Sequence, residues 1–283
     1  MCSSVEFWQK YSNSTNITLL EIDIMVDYVL PLSGKVAVVT GGSRSIGEAI
    51  AMELAKRGAT VVITYVSAKS ETRVKDICAR IEALPHTPSA HFIQADLSTL
   101  SAPEQVVTSL LAWRGKKLSI DILVNNAGVE RVKGLEEISV DDYNVVFNLN
   151  VRGVILLTQA LLPYFNKNGR IINIGSVGGR SAFKDLSLYC ASKAALEGLT
   201  RSWAAELGSN GTTVNCVAPG PVASELLDNI PRDIVERQKD ATPIGNRLGT
   251  TEEIANVVAS LAGKDGAWIT GQVISASGGW AVY

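Results

Sequence analysis

Histidine is almost missing from this chain, with two among 283 residues, His86 and His91. Both flank a proline-containing loop, which argues against a histidine-dependent hydrolase, and no metal site is expected. Cysteine is scarce as well. Cys2, Cys78, Cys190 and Cys216 are scattered without a CxxC pair. That argues against a disulfide framework or a zinc site and points to a reducing, cytoplasmic setting. Neither sign of charge dominates: 26 Lys and Arg against 28 Asp and Glu leave a formal net charge of −2. A nucleic-acid binder needs a basic surface, so nucleic acid is not expected as a partner. No apolar run reaches the roughly 20 residues of a membrane span, so no membrane is expected either. Residues 1–16 are polar and lack the basic-then-apolar order of a secretory signal. Apolar residues are abundant, at 46 %. That is too much for a disordered chain and enough for one large α/β domain with ample core.

Residues 1–32 read as an N-terminal extension and residues 33–283 as a single domain. Within that domain strand and helix patterns alternate. Short β-branched or apolar runs predict strands at Lys35–Thr40, Thr60–Tyr65, Ala90–Gln94, Ile120–Asn125, Arg170–Gly175, Thr213–Val217 and Gln272–Ser275. Helical spacing predicts helices at Ser45–Arg57, Ala68–Leu84, Glu104–Trp113, Val140–Phe165, Leu188–Leu207 and Thr251–Leu261. Strands apolar on both faces and separated by helices imply a parallel sheet covered on both sides. With right-handed crossovers this is an α/β, Rossmann-type doubly wound sheet of about seven strands flanked by helices.

The turn Thr40-Gly41-Gly42-Ser43-Arg44-Ser45-Ile46-Gly47 joins the first strand to the first helix. Glycine lets the backbone approach a pyrophosphate, and the helix N-terminus faces the anion with free N–H groups. At the end of the second strand, where an NAD site places a carboxylate on the ribose, stand Thr64-Tyr65-Val66-Ser67. Arg44 supplies a cation there, and Tyr65 and Ser67 supply hydrogen bonds. The expected cofactor is therefore NADP(H), with no carboxylate placed to repel its 2′-phosphate.

Tyr189-Cys190-Ala191-Ser192-Lys193 opens a helix, and the i, i+4 spacing puts Tyr189 and Lys193 on one face. A nearby ammonium favours the phenolate, so the tyrosine is expected to have a lowered pKa and to act as a general acid or base. Ser176 follows the fifth strand at the ligand-binding edge of the sheet, placed to orient a carbonyl. Asn125-Asn126-Ala127-Gly128 ends the fourth strand at that edge. A serine hydrolase fails on inventory. Ile174-Gly175-Ser176-Val177-Gly178 lacks the first glycine of the nucleophile elbow, and no histidine lies downstream.

Together and in order, these motifs make the chain resemble the short-chain dehydrogenase/reductase superfamily over roughly residues 33–280. The matching elements are the turn at Thr40–Gly47, Asp96-Leu97, the NNAG at 125–128, Asn150, Ser176, Tyr189 with Lys193, and Pro219-Gly220. Pro243–Gly249 followed by Glu252–Ala255 makes it similar to β-ketoacyl-carrier-protein reductases and to fungal hydroxynaphthalene and ketone reductases. The resemblance implies roles. Tyr189 moves the proton, Lys193 bonds the nicotinamide ribose, and Ser176 holds the carbonyl. Asn150 sits at a break in its helix and holds a water that links Lys193 to solvent. Asp96 and Leu97 lie at the adenine, and Asn126, Ala127 and Gly128 line the adenosine ribose. Gly41, Ser43, Arg44, Ser45, Ile46 and Gly47 hold the phosphates. Pro219, Gly220, Val222 and Ser224 cover the nicotinamide. Three departures stand out: Ser45 at the middle glycine, Ser224 for the usual threonine, and Ser277-Gly278-Gly279 for Asp-Gly-Gly.

The expected activity is NADPH-dependent reduction of a ketone of a small organic substrate to a secondary alcohol, or the reverse oxidation. A secondary metabolite or polyketide is the guess that the resemblance offers. Two alternatives stay open: non-redox chemistry on the same fold, and a catalytically silent NADP(H) sensor. The segment at about 222–245, with Leu226 and Leu227, reads as a substrate lid, and Phe183 and Leu186 as pocket wall. An apolar rim suggests a ring-bearing or acyl ketone rather than a small polar sugar. Leu156, Leu161, Leu199 and Trp203 are expected on outer helix faces that pair in a homo-oligomer, a dimer or tetramer.

Overall fold

The structure, a computed structural model, describes residues 30–225 and 232–283. The expected N-terminal extension, through residue 29, lies outside the described residues, as do Leu226 and Leu227. Among the described residues, β1 (Val36–Val39), β4 (Ile120–Asn125) and β6 (Thr213–Pro219) are buried at every position. Parallel strands covered on both faces must be so. With β2 (Thr60–Tyr65), β3 (Ala90–Gln94), β5 (Phe165–Ile174) and β7 (Val273–Ala276) they form one seven-stranded sheet, in the order β3-β2-β1-β4-β5-β6-β7. Every pairing is parallel. Val38 lies between Val62 and Leu123, and Ile172 pairs with Asn215. The chain winds outward from β1 to β3, returns to the other side of β1, and winds out to β7. That reversal opens a crevice at the carboxyl ends of β1 and β4, where such sheets bind ligands.

Helices α1 (Ser45–Lys56), α2 (Glu71–Glu82) and α8 (Thr251–Ala262) cover one face through Ile50, Leu54, Ile77, Ile81, Ile254 and Val258. Helices α3 (Ala102–Arg114), α5 (Val154–Leu161) and α6 (Ser187–Leu207) cover the other through Val106, Leu110, Leu157, Leu161 and Ala204. The helix expected over Val140–Phe165 is interrupted. It consists of α4 (Val140–Phe147), a π-helical turn at Asn148–Gly153, α5, and a closing 3₁₀ turn at Leu162–Tyr164 that carries Pro163. Proline has no N–H to continue the ladder, so Phe165 already belongs to β5 rather than to the helix. An inserted residue rotates the remainder of a helix by about 100°. Leu161, expected on an outer face, is accordingly fully buried in the core. The helix expected at Ala68–Leu84 begins as a 3₁₀ turn (Ala68–Ser70) and stops at Glu82, ahead of Pro85.

The continuous helical run Val140–Tyr164 is 25 residues long and holds an 18-residue window of mean hydropathy 1.6, long and apolar enough to cross a membrane by length and composition. Core packing accounts for much of that apolarity, since Val146, Val154, Leu157 and Leu161 are buried. Leu157 has no exposed surface. Leu157→Ala is expected to lower the unfolding free energy by about 3 kcal/mol in urea titration. A loss below about 1 kcal/mol would mean that the core closes over the gap.

Candidate active site

The crevice begins at the turn after β1. Thr40 Oγ1 accepts hydrogen bonds from the main-chain N–H groups of Asn126 (2.9 Å) and Ala127 (3.0 Å). In return Asn126 Nδ2 donates to the carbonyls of Thr40 (2.9 Å) and Gly41 (3.1 Å). The end of β4 is thus laced to the turn. Gly41 has φ +62°, and a Cβ there would lie 2.9 Å from Ala127 Cα. At Gly47 a Cβ would lie 2.5 Å from Asn126 Nδ2. Both positions require glycine. No side chain caps the first turn of α1, so its N–H groups remain available to an anion.

Around this turn lies a cleft of about 400 Å³ lined by Gly41, Ser43, Arg44, Ser45, Ile46, Gly47, Tyr65, Asp96, Leu97, Asn126, Ala127 and Gly128. A second cleft, of about 240 Å³, is lined by Ser176, Phe183, Tyr189, Lys193, Pro219, Gly220 and Val222. Ile46, Asn126, Gly128, Val129 and Ser224 line both clefts, which makes one elongated groove. The uncapped helix end, the glycine cradle and the groove's length fit a dinucleotide. In that fit the first cleft would hold the adenosine and phosphates, and the second the nicotinamide and substrate.

Several expected contacts differ in detail. The Asn126 amide group holds the turn together rather than facing a ribose. Asp96 Oδ1 accepts from both the main chain (3.0 Å) and the hydroxyl (2.7 Å) of Ser98. Ser67 does not line the groove. Its oxygen caps the 3₁₀ turn, accepting from Lys69 N at 3.2 Å. Ser45, expected to cap or to bond phosphate, makes no cap and sits at φ +52°, a left-handed conformation that strains a side-chain-bearing residue. Arg44 is paired: its guanidinium donates to Glu225 at 3.0 Å, and Arg73 donates to the same carboxylate at 2.6 Å. A carboxylate therefore does stand beside the expected phosphate cation. It arrives from a segment 181 positions along the chain, not from the end of β2, where the sequence pattern placed the question. Arg73, at the start of α2, is a second cation that the sequence pattern did not reveal.

The residues expected to be catalytic gather where β4, β5, α6 and the π turn converge. Helical geometry places Lys193 Nζ 5.6 Å from the ring centre of Tyr189. Lys193 is buried, and its ammonium donates to the Ile174 carbonyl at 2.8 Å. Ser176 Oγ accepts from Gly178 N at 3.0 Å and so caps a short 3₁₀ turn, Val177–Gly179. Asn150 lies within the π turn, the helix break that the resemblance implied. Its Oδ1 accepts from Val129 N (2.9 Å), and its Nδ2 donates to Val129 O (2.8 Å) and Ser192 Oγ (3.0 Å). The side-chain amide is thus fully engaged in fixing the loop after β4. A Cβ on Gly128 would lie 3.3 Å from Asn150 Oδ1 and 3.5 Å from Lys193 Nζ, so this glycine lets the three elements meet.

The expected lowering of the tyrosine pKa is not what the structure gives. Burial pushes the Tyr189 hydroxyl up to about 12; the Ser176 hydroxyl offsets part of that, and the negative charge of Glu130 adds to it. Desolvation acts on Lys193 in the opposite sense and brings its ammonium down to about 8. The pair is therefore a neutral phenol beside a cation at neutral pH, an arrangement suited to giving a proton.

The far wall of the substrate cleft is anchored from the C-terminal region. Phe183 stacks on Trp280 with ring centres 5.4 Å apart. Tyr283 Oη donates to the Val177 carbonyl at 2.9 Å. Glu197, buried on α6, accepts from Arg180 Nε at 2.7 Å and ties the same loop down. Glu130, Val177 and Gln238 also line this cleft and were missed in the sequence. For Glu130 the available signal was its place two residues beyond the NNAG motif.

The charge states carry a pH dependence. Lys193 is charged below about 8 and neutral above it, whereas Tyr189 stays protonated to about 12. In the reductive direction kcat/KM should be flat through neutrality and fall as pH rises past about 8; a profile flat to pH of about 10, near the ordinary lysine value, would refute this assignment. Ser45→Gly removes left-handed strain but adds unfolded-chain entropy, so a net stabilisation of about 0.5–1 kcal/mol is expected in thermal unfolding.

Comparison with known proteins bears on the same residues. A family model described as enoyl-(acyl carrier protein) reductase matches residues 41–281. The chain is 39 % identical to the short-chain dehydrogenase/reductase FrzI of Cladobotryum sp, over 88 % of this chain and 96 % of that one. It is also 39 % identical to the hydroxynaphthalene reductase arp2 of Aspergillus fumigatus, over 87 % of this chain and 92 % of that one. Among solved structures, the angucycline C-6 ketoreductase LanV with bound NADP superimposes with a TM-score of 0.81 at 34 % identity, covering 88 % of this chain and 96 % of that one. With the doubly wound sheet and the Ser176, Tyr189 and Lys193 cluster at its carboxyl edge, these matches establish the chain as an oxidoreductase that belongs to the short-chain dehydrogenase/reductase family.

Proposed function

We propose that the chain is an NADPH-dependent carbonyl reductase that converts a ketone of a small organic molecule to a secondary alcohol. The observation that carries this reading is the convergence of Ser176, Tyr189 and Lys193 on a cleft continuous with the glycine cradle. Arg44 and Arg73 at the adenosine end favour the phosphorylated cofactor, once Glu225 yields them to the 2′-phosphate. When bound in this groove, the reduced nicotinamide would supply the hydride for the carbonyl carbon. Ser176 and Tyr189 then hold the carbonyl oxygen by donating hydrogen bonds to it. As negative charge builds on that oxygen, Tyr189 transfers its proton, because an alkoxide is a stronger base than a phenolate. Lys193 stabilises the phenolate left behind. With Tyr189 at about 12, reduction is the favoured direction near neutrality, since oxidation would need the phenolate.

In this reading the protein works in the cytoplasm on a substrate of secondary metabolism. It pairs as a homo-oligomer through half-buried Leu156, Leu199 and Trp203, without Leu161.

The test follows reduced-nicotinamide absorbance with NADPH or NADH over a panel of cyclic, aromatic and β-keto compounds. Tyr189→Phe should lower turnover by roughly 10²–10⁴-fold while NADPH affinity stays within a few-fold. Arg44→Ala should weaken NADPH binding about 10-fold and leave NADH binding unchanged. Turnover that survives in Tyr189→Phe would remove the tyrosine from its role.

A further inference from the structure

We propose that the substrate cleft is built for a ketone that carries a hydroxyl group away from its carbonyl, whose single proton is shared between the Glu130 carboxylate and the Gln238 amide oxygen in a three-centre bond, and that it rejects ketones bearing a carboxylate. This rests on the carbonyl-reductase reading above and specifies its substrate class.

Donors and acceptors in the cleft are few. Most of the wall is apolar, with Ile174, Val177, Phe183, Leu186 and Val222 contributing. Ser176 and Tyr189 are assigned to the carbonyl oxygen. The amide nitrogen of Asn126 is committed to the turn after β1, and the ammonium of Lys193 to Ile174. Asn126 and Ser224 also line the cofactor cleft, which leaves two side-chain acceptors on the substrate side. Gln238, on α7 (Arg232–Asp240), lines the cleft, and its Oε1 is buried with no partner among the described residues. Glu130 lines the same cleft, and among the described residues nothing donates to its carboxylate. Its place is fixed, because both main-chain polar groups of the preceding Val129 are held by Asn150.

Burial raises the Glu130 carboxyl above its ordinary value, and its charge is felt at Tyr189. Both effects are those of an acceptor that faces an apolar wall without a counter-ion.

A buried acceptor left without a donor, as Gln238 Oε1 is among the described residues, is unfavourable, and a ligand that brings a donor relieves it. Sites of this kind discriminate strongly against analogues that lack the donating group. A substrate carboxylate would meet the opposite situation. It would face the like charge of Glu130, and the only cationic side chain lining the cleft among the described residues is the committed Lys193.

A matched ring series tests this: 4-hydroxycyclohexanone, 4-methylcyclohexanone and 4-oxocyclohexanecarboxylate. Each is measured as kcat/KM with NADPH and as calorimetric binding to the chain loaded with NADP⁺. The hydroxyl compound should exceed the methyl compound at least about 10-fold in both measurements, and the carboxylate should be the weakest. Glu130→Leu and Gln238→Leu should each shrink the hydroxyl-over-methyl ratio several-fold without lowering NADPH affinity. Glu130→Gln, which keeps an acceptor oxygen and is nearly isosteric, should retain the hydroxyl preference and admit the carboxylate about 10-fold better. It carries the test if a leucine variant does not fold. An unchanged ratio in both leucine variants, a carboxylate bound as well as the alcohol, or no measurable binding of all three would overturn the proposal. The reductase reading fails separately. It falls if wild type turns over no ketone, whereas the order of binding still decides the donor assignment.

Discussion

A lysine ammonium enclosed by protein, with no carboxylate paired to it among the described residues, is the constraint around which the site is arranged. Lys193 is buried and is held by one main-chain carbonyl, that of Ile174. Taking a cation out of water is costly, and its affinity for the proton drops accordingly. For the ammonium to persist, its surroundings must be fixed. The last residue of β5 supplies the carbonyl, Gly128 after β4 leaves room, and the π turn brings Asn150 alongside. These elements meet only because β4 and β5 are parallel neighbours and α6, which covers one face of the sheet, brings Lys193 to the carboxyl end of β5.

A buried polar chain below the site keeps this arrangement in register. Asn125 Nδ2 donates to Thr158 Oγ1 at 3.2 Å and to Asn173 Oδ1 at 2.9 Å, and Asn173 Nδ2 donates to Thr200 Oγ1 at 2.9 Å. The chain crosses from α5 through β4 and β5 to α6. Asn125 Oδ1 has no partner among the described residues, but the groups that are paired specify one alignment, because a slip would strand them. The tyrosine and lysine of α6 therefore keep their distance from Ser176 through groups that never touch substrate.

Much of this was legible in the sequence for local reasons. Strands apolar on both faces announced a covered parallel sheet, and the four-residue spacing of Tyr189 and Lys193 announced a shared helix face. The errors share a different cause. Periodicity could not show that Asn148–Gly153 widens into a π turn, so Leu161 was assigned to the wrong side. Pairwise proximity suggested that Lys193 lowers the tyrosine pKa, whereas burial, a property of the whole fold, raises it. Arg73, Glu225, Glu130 and Gln238 escaped because each acts beside residues remote in the chain. Leu226 and Leu227 fall outside the described residues.

The wall facing the substrate is made of pieces that take no part in strand pairing: the loop from Val177 to Leu186, helix α7, and the stretch bearing Trp280 and Tyr283. The loop and the C-terminal stretch touch through the Phe183–Trp280 stack and the Tyr283 hydroxyl. The residues proposed to move the proton, by contrast, hang on β5, α6 and the π turn. Molecular evolution can thus alter which molecule is accepted by exchanging residues in the outer pieces, while the alignment that moves the proton stays intact. A scaffold divided in this way can diversify its chemistry of recognition without rebuilding its reaction.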